Sequence, residues 1–287
     1  MQEKKRGRAH SRWLLPAALV LAGAAWFENF TLSTSTVTAA CAALPEAFSG
    51  LRIVQISDLH GRRFDAESRY LLELVRLQSP DLIALTGDLA DEFTDFSMLP
   101  PLLDGLTALA PTFYVTGNHE WVLSREKREA LFSMLDAAGV VRLQNEYRLL
   151  KKGQASIVLA GVDDPNGPYD QKRPAQLVRE IRQSRGRDAY ILMLSHRNDE
   201  LDLWANMGVQ TVLCGHGHGG IVRLPFVGAV FGTHLDLFPD YTAGLYRKGQ
   251  TSMIVSRGLG GSRKLPLRIG NRPEIVTVIL KAESGKV

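Results

Sequence analysis

Short apolar runs alternate with segments of helical periodicity along most of this 287-residue chain. The runs are typical of buried strands, and the segments between them carry apolar residues at the three- and four-residue spacing of a helix. This alternation predicts an α/β domain, and the apolar runs after residue 221 predict further β-structure. Strand-like runs lie at residues 51–56, 81–85, 112–115, 141–150, 156–162, 189–194 and 210–213, and helical segments at 65–79, 96–109, 124–138, 174–184 and 198–206.

Side chains that can bind a metal ion follow five of these strand-like runs, at the point where each run ends. In an open α/β sheet, ligands bind beyond the carboxyl ends of the strands, so these side chains are expected to converge there. A single one could be a helix cap or a solvated histidine, but repetition at five strand ends favours a metal site. The residues are Asp58, His60, Asp88, Asn118, His119, His196, His216 and His218.

The chemistry of these donors narrows the choice of metal ion. Aspartate, asparagine and histidine without cysteine suit Mn²⁺, Fe²⁺ or Zn²⁺. The set holds too many donors for one four-coordinate ion and suits two ions that share a carboxylate. Cys214 lies two positions before His216 and is interpreted as a buried, inert thiol, and with Cys41 it could form at most one disulfide.

The basic residues are concentrated at the N-terminus. Residues 1–12 contain five lysines and arginines and one glutamate, which accounts for the whole formal charge of +4. The remainder of the chain is formally neutral, so its charge disfavours a nucleic-acid partner.

An uncharged apolar run follows this basic tail at residues 13–27. As a helix it would cover roughly 22 Å, against roughly 30 Å for a bilayer core, and Trp13 and Trp26 at its ends suit membrane interfaces. We interpret it as a membrane anchor, with a cleaved signal peptide and a buried helix as the alternatives. The basic tail would stay in the cytoplasm, so the domain would face outward from the inner or plasma membrane. Residues 28–49 form a Thr/Ser-rich lead-in with some strand character, and residues 50–287 form the main domain.

Five motifs carry a resemblance to a known family. Asp58-x-His60, Gly87-Asp88-x-x-Asp91, Gly117-Asn118-His119-Glu120, His196 and Gly215-His216-x-His218 resemble the signature of calcineurin-like metallophosphoesterases, from about residue 50 to the end. Within that superfamily the chain is similar to a membrane-associated bacterial branch. The stretches that point to this branch are 57–60, 194–196, 214–220, 256–260 and 273–275.

Two departures from the branch pattern are visible. Gly217 and Ile221 stand where the branch has Thr and Gln, and Arg197-Asn198-Asp199 replaces x-Pro-Asp. These positions concern the shape of the loops and the fit of the substrate, because none of them is a metal ligand in the family.

The resemblance implies a fold and a role for each site residue. We expect a single α/β domain (α+β in some schemes), a four-layer αββα sandwich of two mixed sheets face to face with helices outside and a binuclear metal site at the strand ends. Of two divalent ions, one would be held by Asp58, His60, Asp88 and His218, and the other by Asp88, Asn118, His196 and His216. His119 would stabilise or protonate the leaving oxygen, and Asp91 would orient its neighbours.

The implied reaction is hydrolysis of a phosphate monoester, diester or pyrophosphate by a metal-bridging hydroxide. Members of the branch resemble enzymes that hydrolyse UDP-2,3-diacylglucosamine in lipid A synthesis, and a membrane anchor suits such a lipid-linked nucleotide sugar. The apolar residues 224–231 could meet a lipid, although a core strand is the favoured interpretation. UDP-sugars are cytoplasmic, which conflicts with the outward orientation. The alternatives are a non-catalytic metal-binding scaffold on the same fold and a phosphodiesterase outside lipid A metabolism.

Overall fold

Two six-stranded mixed sheets pack face to face and carry helices on their outer surfaces. They are seen in a computed structural model that describes residues 16, 19–20, 22–233, 235–261 and 268–283. The layers follow the order helix, sheet, sheet, helix, which confirms the expected αββα sandwich.

The first sheet combines strands from both ends of the chain. In spatial order it contains β1 (Ser33–Cys41), β14 (Glu274–Ala282), β2 (Arg52–Ile56), β3 (Leu82–Thr86), β4 (Thr112–Val115) and β5 (Val141–Arg142). Strands β2 to β5 are parallel to one another, whereas β14 runs antiparallel to β2 and pairs in parallel with β1. The sheet therefore includes residues before 50, because β1 lies within the Thr/Ser-rich segment that we described as a lead-in.

The second sheet has a parallel centre and an antiparallel hairpin at each edge. In spatial order it contains β12 (Gly244–Lys248), β13 (Thr251–Val255), β9 (Thr211–Cys214), β8 (Ile191–Leu194), β7 (Ala155–Gly161) and β6 (Glu146–Lys152). The strand-like run at 141–150 is thus divided between the sheets, since β5 ends the first and β6 ends the second. A separate hairpin of β10 (Val222–Leu224) and β11 (Gly228–Phe231) follows β9.

The helices cover the outer faces of the two sheets. Residues 22–30 form α1, which is followed by α2 (Arg69–Leu77), α3 (Leu99–Leu109), α4 (Asn118–Val122), α5 (Arg125–Ala137), α6 (Pro174–Arg185) and α7 (Leu201–Asn206). Two short 3-10 turns lie at Glu46–Phe48 and Phe96–Met98. Helices α2, α3 and α5 pack on the first sheet, and α6 and α7 pack on the second.

Burial on both faces explains the unbroken apolar runs of the central strands. In β2, Ile53 faces the second sheet, whereas Val54 and Ile56 face the helices. Gln55 is buried between the sheets and donates to Thr86 Oγ1 at 3.0 Å and to the carbonyl of Cys214 at 2.8 Å. This amide connects the ends of β2, β3 and β9, which are the strands that lead into three of the predicted site loops.

The predicted membrane anchor at residues 13–27 falls only partly within the described residues. In the part of the chain that the structure describes, no helix is both long enough and apolar enough to cross a membrane. Both cysteines are free and buried, which confirms the interpretation of Cys214 as a buried thiol.

Candidate metal centre

The eight metal-capable side chains meet at one edge of the sandwich, where the carboxyl ends of five strands come together. Asp58 and His60 follow β2, Asp88 follows β3, and His196 follows β8. Asn118 and His119 open α4 directly after β4, and His216 and His218 follow β9. Parallel strands from the two sheets therefore supply one site, at the strand ends where these side chains were expected to converge.

One group of donors contains Asp58, His60 and His218, whose ligand atoms lie within 4.8 Å of one another. His218 Nε2 is 3.6 Å from Asp58 Oδ1, and His60 Nε2 is 3.6 Å from Asp88 Oδ2. These separations exceed ordinary hydrogen-bond lengths, and they leave room for a cation between the donors.

A second group surrounds the ring of His196. Its Nε2 atom is 3.2 Å from Asp88 Oδ2, 3.2 Å from Asn118 Oδ1 and 3.1 Å from His216 Nδ1. The same carboxylate oxygen of Asp88 thus faces both groups of donors. A carboxylate in this position can bridge two ions.

Strained backbone positions aim these side chains. Five of the site residues, none of them glycine, have left-handed backbone angles, with φ between 49° and 66°. Aspartate and histidine tolerate this region better than most residues, and such strain persists where the surrounding structure enforces it. The turns after β2 and β3 brace each other, because Asp58 N–H donates to the Gly87 carbonyl and His60 N–H donates to the Asp88 carbonyl. The five residues are Asp58, His60, Asp88, His216 and His218.

The hydrogen bonds of the imidazoles leave nitrogen lone pairs facing the site. His196 Nδ1 donates to the Thr86 carbonyl at 2.8 Å, which fixes the ring so that Nε2 faces Asp88, Asn118 and His216. Nε2 of His60 and Nδ1 of His218 are buried without a hydrogen-bond partner among the described residues. Buried polar atoms are rarely left so, and bound cations are a common explanation. The residues fit a pair of divalent ions.

The pKa shifts of the site residues bear on their ability to bind divalent ions. Burial by itself raises the pKa of Asp88, but the charges of His196 and His60 and a hydrogen bond from His196 hold that pKa below its usual range. Burial and the charges of His196 and Arg197 lower the pKa of His216 to about 3. Burial and the charge of His60 also lower the pKa of His218. The site therefore offers an ionised carboxylate at Asp88 and neutral imidazoles at His216 and His218, the forms that bind metals. Burial lowers the pKa of His196, but the charge of Asp88 outweighs it and raises that pKa to about 10, so metal binding at His196 would displace a proton.

His119 and Asp91 lie beside the first group. The ring of His119 meets the ring of His60 edge-to-face, with the ring centres 4.7 Å apart. The backbone N–H of His119 donates to Asp88 Oδ1 at 2.8 Å. Asp91 Oδ2 is 3.5 Å from His60 Nδ1, on the side of the ring away from Asp88. The structure brings His119 close enough to Asp88 and His60 to be a third potential donor there.

Glu120 closes the motif Gly117-Asn118-His119-Glu120, where the resemblance gave it no role, and the structure makes it a central support of the site. Its fully buried carboxylate accepts the backbone N–H groups of Asp88, Leu89, Ala90 and Gly117 at 2.7–3.3 Å. Burial, followed by the negative charge of Asp88, raises the pKa of Glu120 to about 7. The residue that caps α4 is Gly117, which has no side chain, so the glutamate three residues later is only half of the sequence signal of a capping box.

Replacing Glu120 with glutamine is expected to destabilise the protein. Each carboxylate oxygen accepts two backbone N–H groups, so an amide nitrogen in either position leaves two buried donors unpaired, at a cost of roughly 2–4 kcal/mol. Urea unfolding of the metal-free protein measures this loss. Glu129→Gln is the control because its side chain is 61% exposed, and equal midpoints for the two variants would contradict the role of Glu120.

Arg197, which precedes the departure from the branch pattern at Asn198, also contacts the site. Its guanidinium binds Asp164 through Nε at 2.6 Å and Nη2 at 3.1 Å, and Nη1 lies 3.0 Å from His216 Nε2. It borders a cavity of about 400 Å³ that is also lined by His216, Thr233 and Tyr241. Arg197 therefore places a cation between a metal-capable histidine and an adjoining cavity.

Gly215→Ala is expected to weaken metal binding without unfolding the protein. A β-carbon at this position would overlap Ser57 Oγ and Asp58 Oδ2, so the Asp58 carboxylate would have to move. A mutation that disturbs the groups holding a metal ligand in place typically lowers metal affinity about 10–100-fold. Titration with Mn²⁺ would measure this loss. Gly23→Ala is the control, since no atom lies within 4 Å of the added carbon there, and unchanged affinity in Gly215→Ala would refute the contact.

A two-sheet scaffold whose strand ends carry two groups of Asp, Asn and His donors around one shared carboxylate has the features of a two-metal enzyme. The model of the calcineurin-like phosphoesterase family matches residues 51–220, and the chain belongs to this family. It is therefore a metallophosphoesterase, a hydrolase of phosphoester bonds.

Three relatives illustrate the similarity. The uncharacterized metallophosphoesterase YkuE of Bacillus subtilis is 31% identical over 267 residues, which cover 90% of this chain and 89% of that protein. Phosphodiesterase YaeI of Escherichia coli is 31% identical over 80% of this chain and 82% of that protein. A transmembrane protein with metallophosphoesterase domain from Danio rerio is 27% identical over 83% of this chain and 55% of that protein. None of these three is named as a UDP-2,3-diacylglucosamine hydrolase.

Proposed function

We propose that the protein hydrolyses phosphodiesters with two divalent metal ions. The observation that carries the proposal is the position of Asp88, whose Oδ2 lies between Nε2 of His60 at 3.6 Å and Nε2 of His196 at 3.2 Å. Asp88 thereby joins the two groups of donors into one binuclear site. The similarity to a relative named as a phosphodiesterase supports a diester as the substrate.

Each side chain has a distinct part in this proposal. Asp58, His60 and His218 would hold one ion, Asn118, His196 and His216 the other, and Asp88 both. When bound, a pair of Mn²⁺, Fe²⁺ or Zn²⁺ ions supplies an activated water and neutralises charge on the phosphoryl oxygens. His119 lies beside both His60 and Asp88 and would donate a proton to the leaving oxygen. Asp91 would hold the ring of His60, and Arg197 lies 3.0 Å from His216 Nε2, on the side of that ring away from His196.

Chelation provides the direct test of this function. We expect the purified chain with added Mn²⁺ to hydrolyse bis-p-nitrophenyl phosphate, and EDTA to abolish the hydrolysis until metal is restored. The absence of chelator-sensitive hydrolysis with any phosphoester would favour the alternative of a non-catalytic metal-binding scaffold. Metal analysis of the same preparation would show whether that scaffold binds ions.

The substrate and the location are narrower parts of the proposal. A panel of p-nitrophenyl phosphate, nucleotides, phospholipids and UDP-2,3-diacylglucosamine would distinguish monoesters, diesters and pyrophosphates. Activity on the last compound alone would support the lipid A role suggested by the motifs.

Membrane association through residues 13–27, with the domain outside the cytoplasm, rests on the basic tail and the apolar run. The relative named as a transmembrane protein agrees with it.

A further inference from the structure

Exposed apolar side chains are concentrated in two parts of the structure. Of the eighteen large apolar side chains that are exposed among the described residues, twelve belong to these two groups. The N-terminal group is Leu19, Val20, Trp26, Phe27 and Phe30. The loop group is Leu224, Phe226, Val227, Leu235, Leu237, Phe238 and Ile269.

The interpretation of residues 224–231 as a core strand was wrong for the tip of the hairpin, because β10 and β11 form a two-stranded ribbon that only partly contacts the core.

One short segment, residues 268–272, connects the two groups. On one side, the Asn29 amide exchanges hydrogen bonds with the backbone of Arg268, and the Arg272 guanidinium lies 4.4 Å from the ring centre of Phe27. On the other side, Ile269 pairs with Val222 at the base of the β10–β11 hairpin. The N-terminal group and the loop group therefore flank a common segment.

The loop group also adjoins the metal centre. The hairpin begins four residues after His218, and the loop that follows it contributes Thr233, Asp236 and Tyr241 to the cavity beside His216. The same loop presents Leu237 and Phe238 to solvent, with 68% and 64% of their surfaces exposed. One loop thus has polar residues facing the site and apolar residues facing outward.

We propose that the loop group inserts into an anionic phospholipid bilayer. The second part of the proposal rests on the phosphoesterase function above: the substrate is a phosphoester that lies in that bilayer. Charge complementarity favours lipid as the occupant, because the five basic residues of the tail precede the N-terminal group in the chain and match anionic headgroups. Apolar insertion and electrostatic attraction together bind a protein to a membrane surface without a spanning helix.

The tip residue Phe226 supports insertion. It is fully exposed, and its φ of 66° is a left-handed value that bulky residues seldom adopt. Neither feature stabilises the protein in water. Both are compatible with a side chain whose partner is a lipid phase.

A fluorophore at the tip would test insertion directly. Because Cys41 and Cys214 are buried, a cysteine introduced by Phe226→Cys can be labelled selectively with an environment-sensitive fluorophore. The matched position is Leu77→Cys on α2, where the native side chain is 58% exposed. With vesicles of phosphatidylcholine and phosphatidylglycerol, we expect a blue shift at position 226 and none at position 77, and a smaller response with phosphatidylcholine alone.

A second pair of variants tests the affinity and the substrate. Phe226→Asn with Leu237→Ser removes two inserted side chains, and asparagine suits the left-handed turn. We expect at least about tenfold weaker vesicle binding and a similar loss of hydrolysis of a phosphodiester lipid in vesicles. Hydrolysis of water-soluble bis-p-nitrophenyl phosphate should be unchanged. Tyr70→Ser with Leu77→Ser, two exposed residues of α2, is the control and should match the native chain in each assay.

Three results would overturn the proposal. Vesicle binding without a response at position 226 would assign binding to the N-terminal group alone, and equal responses at both positions would mean unspecific adsorption. A dimer that the double variant disrupts, without vesicle binding, would assign the surface to a second copy of the chain. Soluble hydrolysis distinguishes the two proposals, because it remains if only the membrane inference fails. Vesicle binding with no chelator-sensitive hydrolysis means that the proposed function fails.

Discussion

Asp88→Asn is expected to remove most of the bound metal and to lower turnover on the order of 10³-fold or more. Asp88 is the residue whose carboxylate faces both groups of donors, at 3.6 Å from His60 and 3.2 Å from His196. Asparagine keeps the size of the side chain but removes the negative charge that two dications would share. It also places an amide group, a poor ligand through its nitrogen, among histidine nitrogens.

The measurements are the metal content per chain and the rate of bis-p-nitrophenyl phosphate hydrolysis. We expect the content to fall from two ions to less than one, with an unchanged circular dichroism spectrum, since the Asp88 backbone remains bound to Glu120. Asp104→Asn on the exposed face of α3 is the control for loss of a carboxylate. If Asp88→Asn retains two ions and its activity, the shared-carboxylate site is wrong.

His119→Ala is expected to keep both ions and to lower turnover by about 10²–10⁴-fold. The prediction follows from its proposed role as the general acid for the leaving oxygen. The structure makes the test necessary, because the ring of His119 lies near enough to His60 and Asp88 to be a metal donor. A ligand and a general acid differ in what their removal does to metal content.

The leaving group adds a second readout to this test. A p-nitrophenolate leaves without much help from an acid, whereas an alkoxide requires a proton, so the loss should be larger for an alkyl diester. Val122→Ala, at an exposed position of the same short helix, should leave both rates unchanged. A parallel fall in metal content and activity would make His119 a ligand, and an equal loss for both leaving groups would exclude the acid role.

Much of the fold could be predicted because its pattern is local. Strands buried on both faces are continuous apolar runs, and amphipathic helices repeat every three to four residues, so β2, α3 and α6 all lie where the sequence indicated. The division of residues 141–150 between two sheets could not be predicted. Periodicity identifies a strand but not its partner, and the pairing of β5 with β4 and of β6 with β7 depends on contacts far along the chain.

The same limit applies to the exposed hairpin. An apolar run such as residues 224–231 is compatible with a core strand or with an exposed ribbon. The decision depends on whether another layer covers it, and sequence alone does not contain that information. Among the described residues, Phe226 and Val227 lie in solvent, and the neighbouring segment, residues 268–272, pairs with the base of the hairpin through Ile269.

For the metal centre, the sequence by itself determined which side chains are available and that they follow strand ends, because ligand chemistry and strand periodicity are both properties of local sequence. Only the tertiary structure decided how these residues combine. The packing of two sheets brings Asp88 from the first sheet to His196 from the second at 3.2 Å, and it buries Glu120 beneath the turn that carries Asp88. Distances between sheets arise from the packing of the whole core, so no spacing along the chain could specify them.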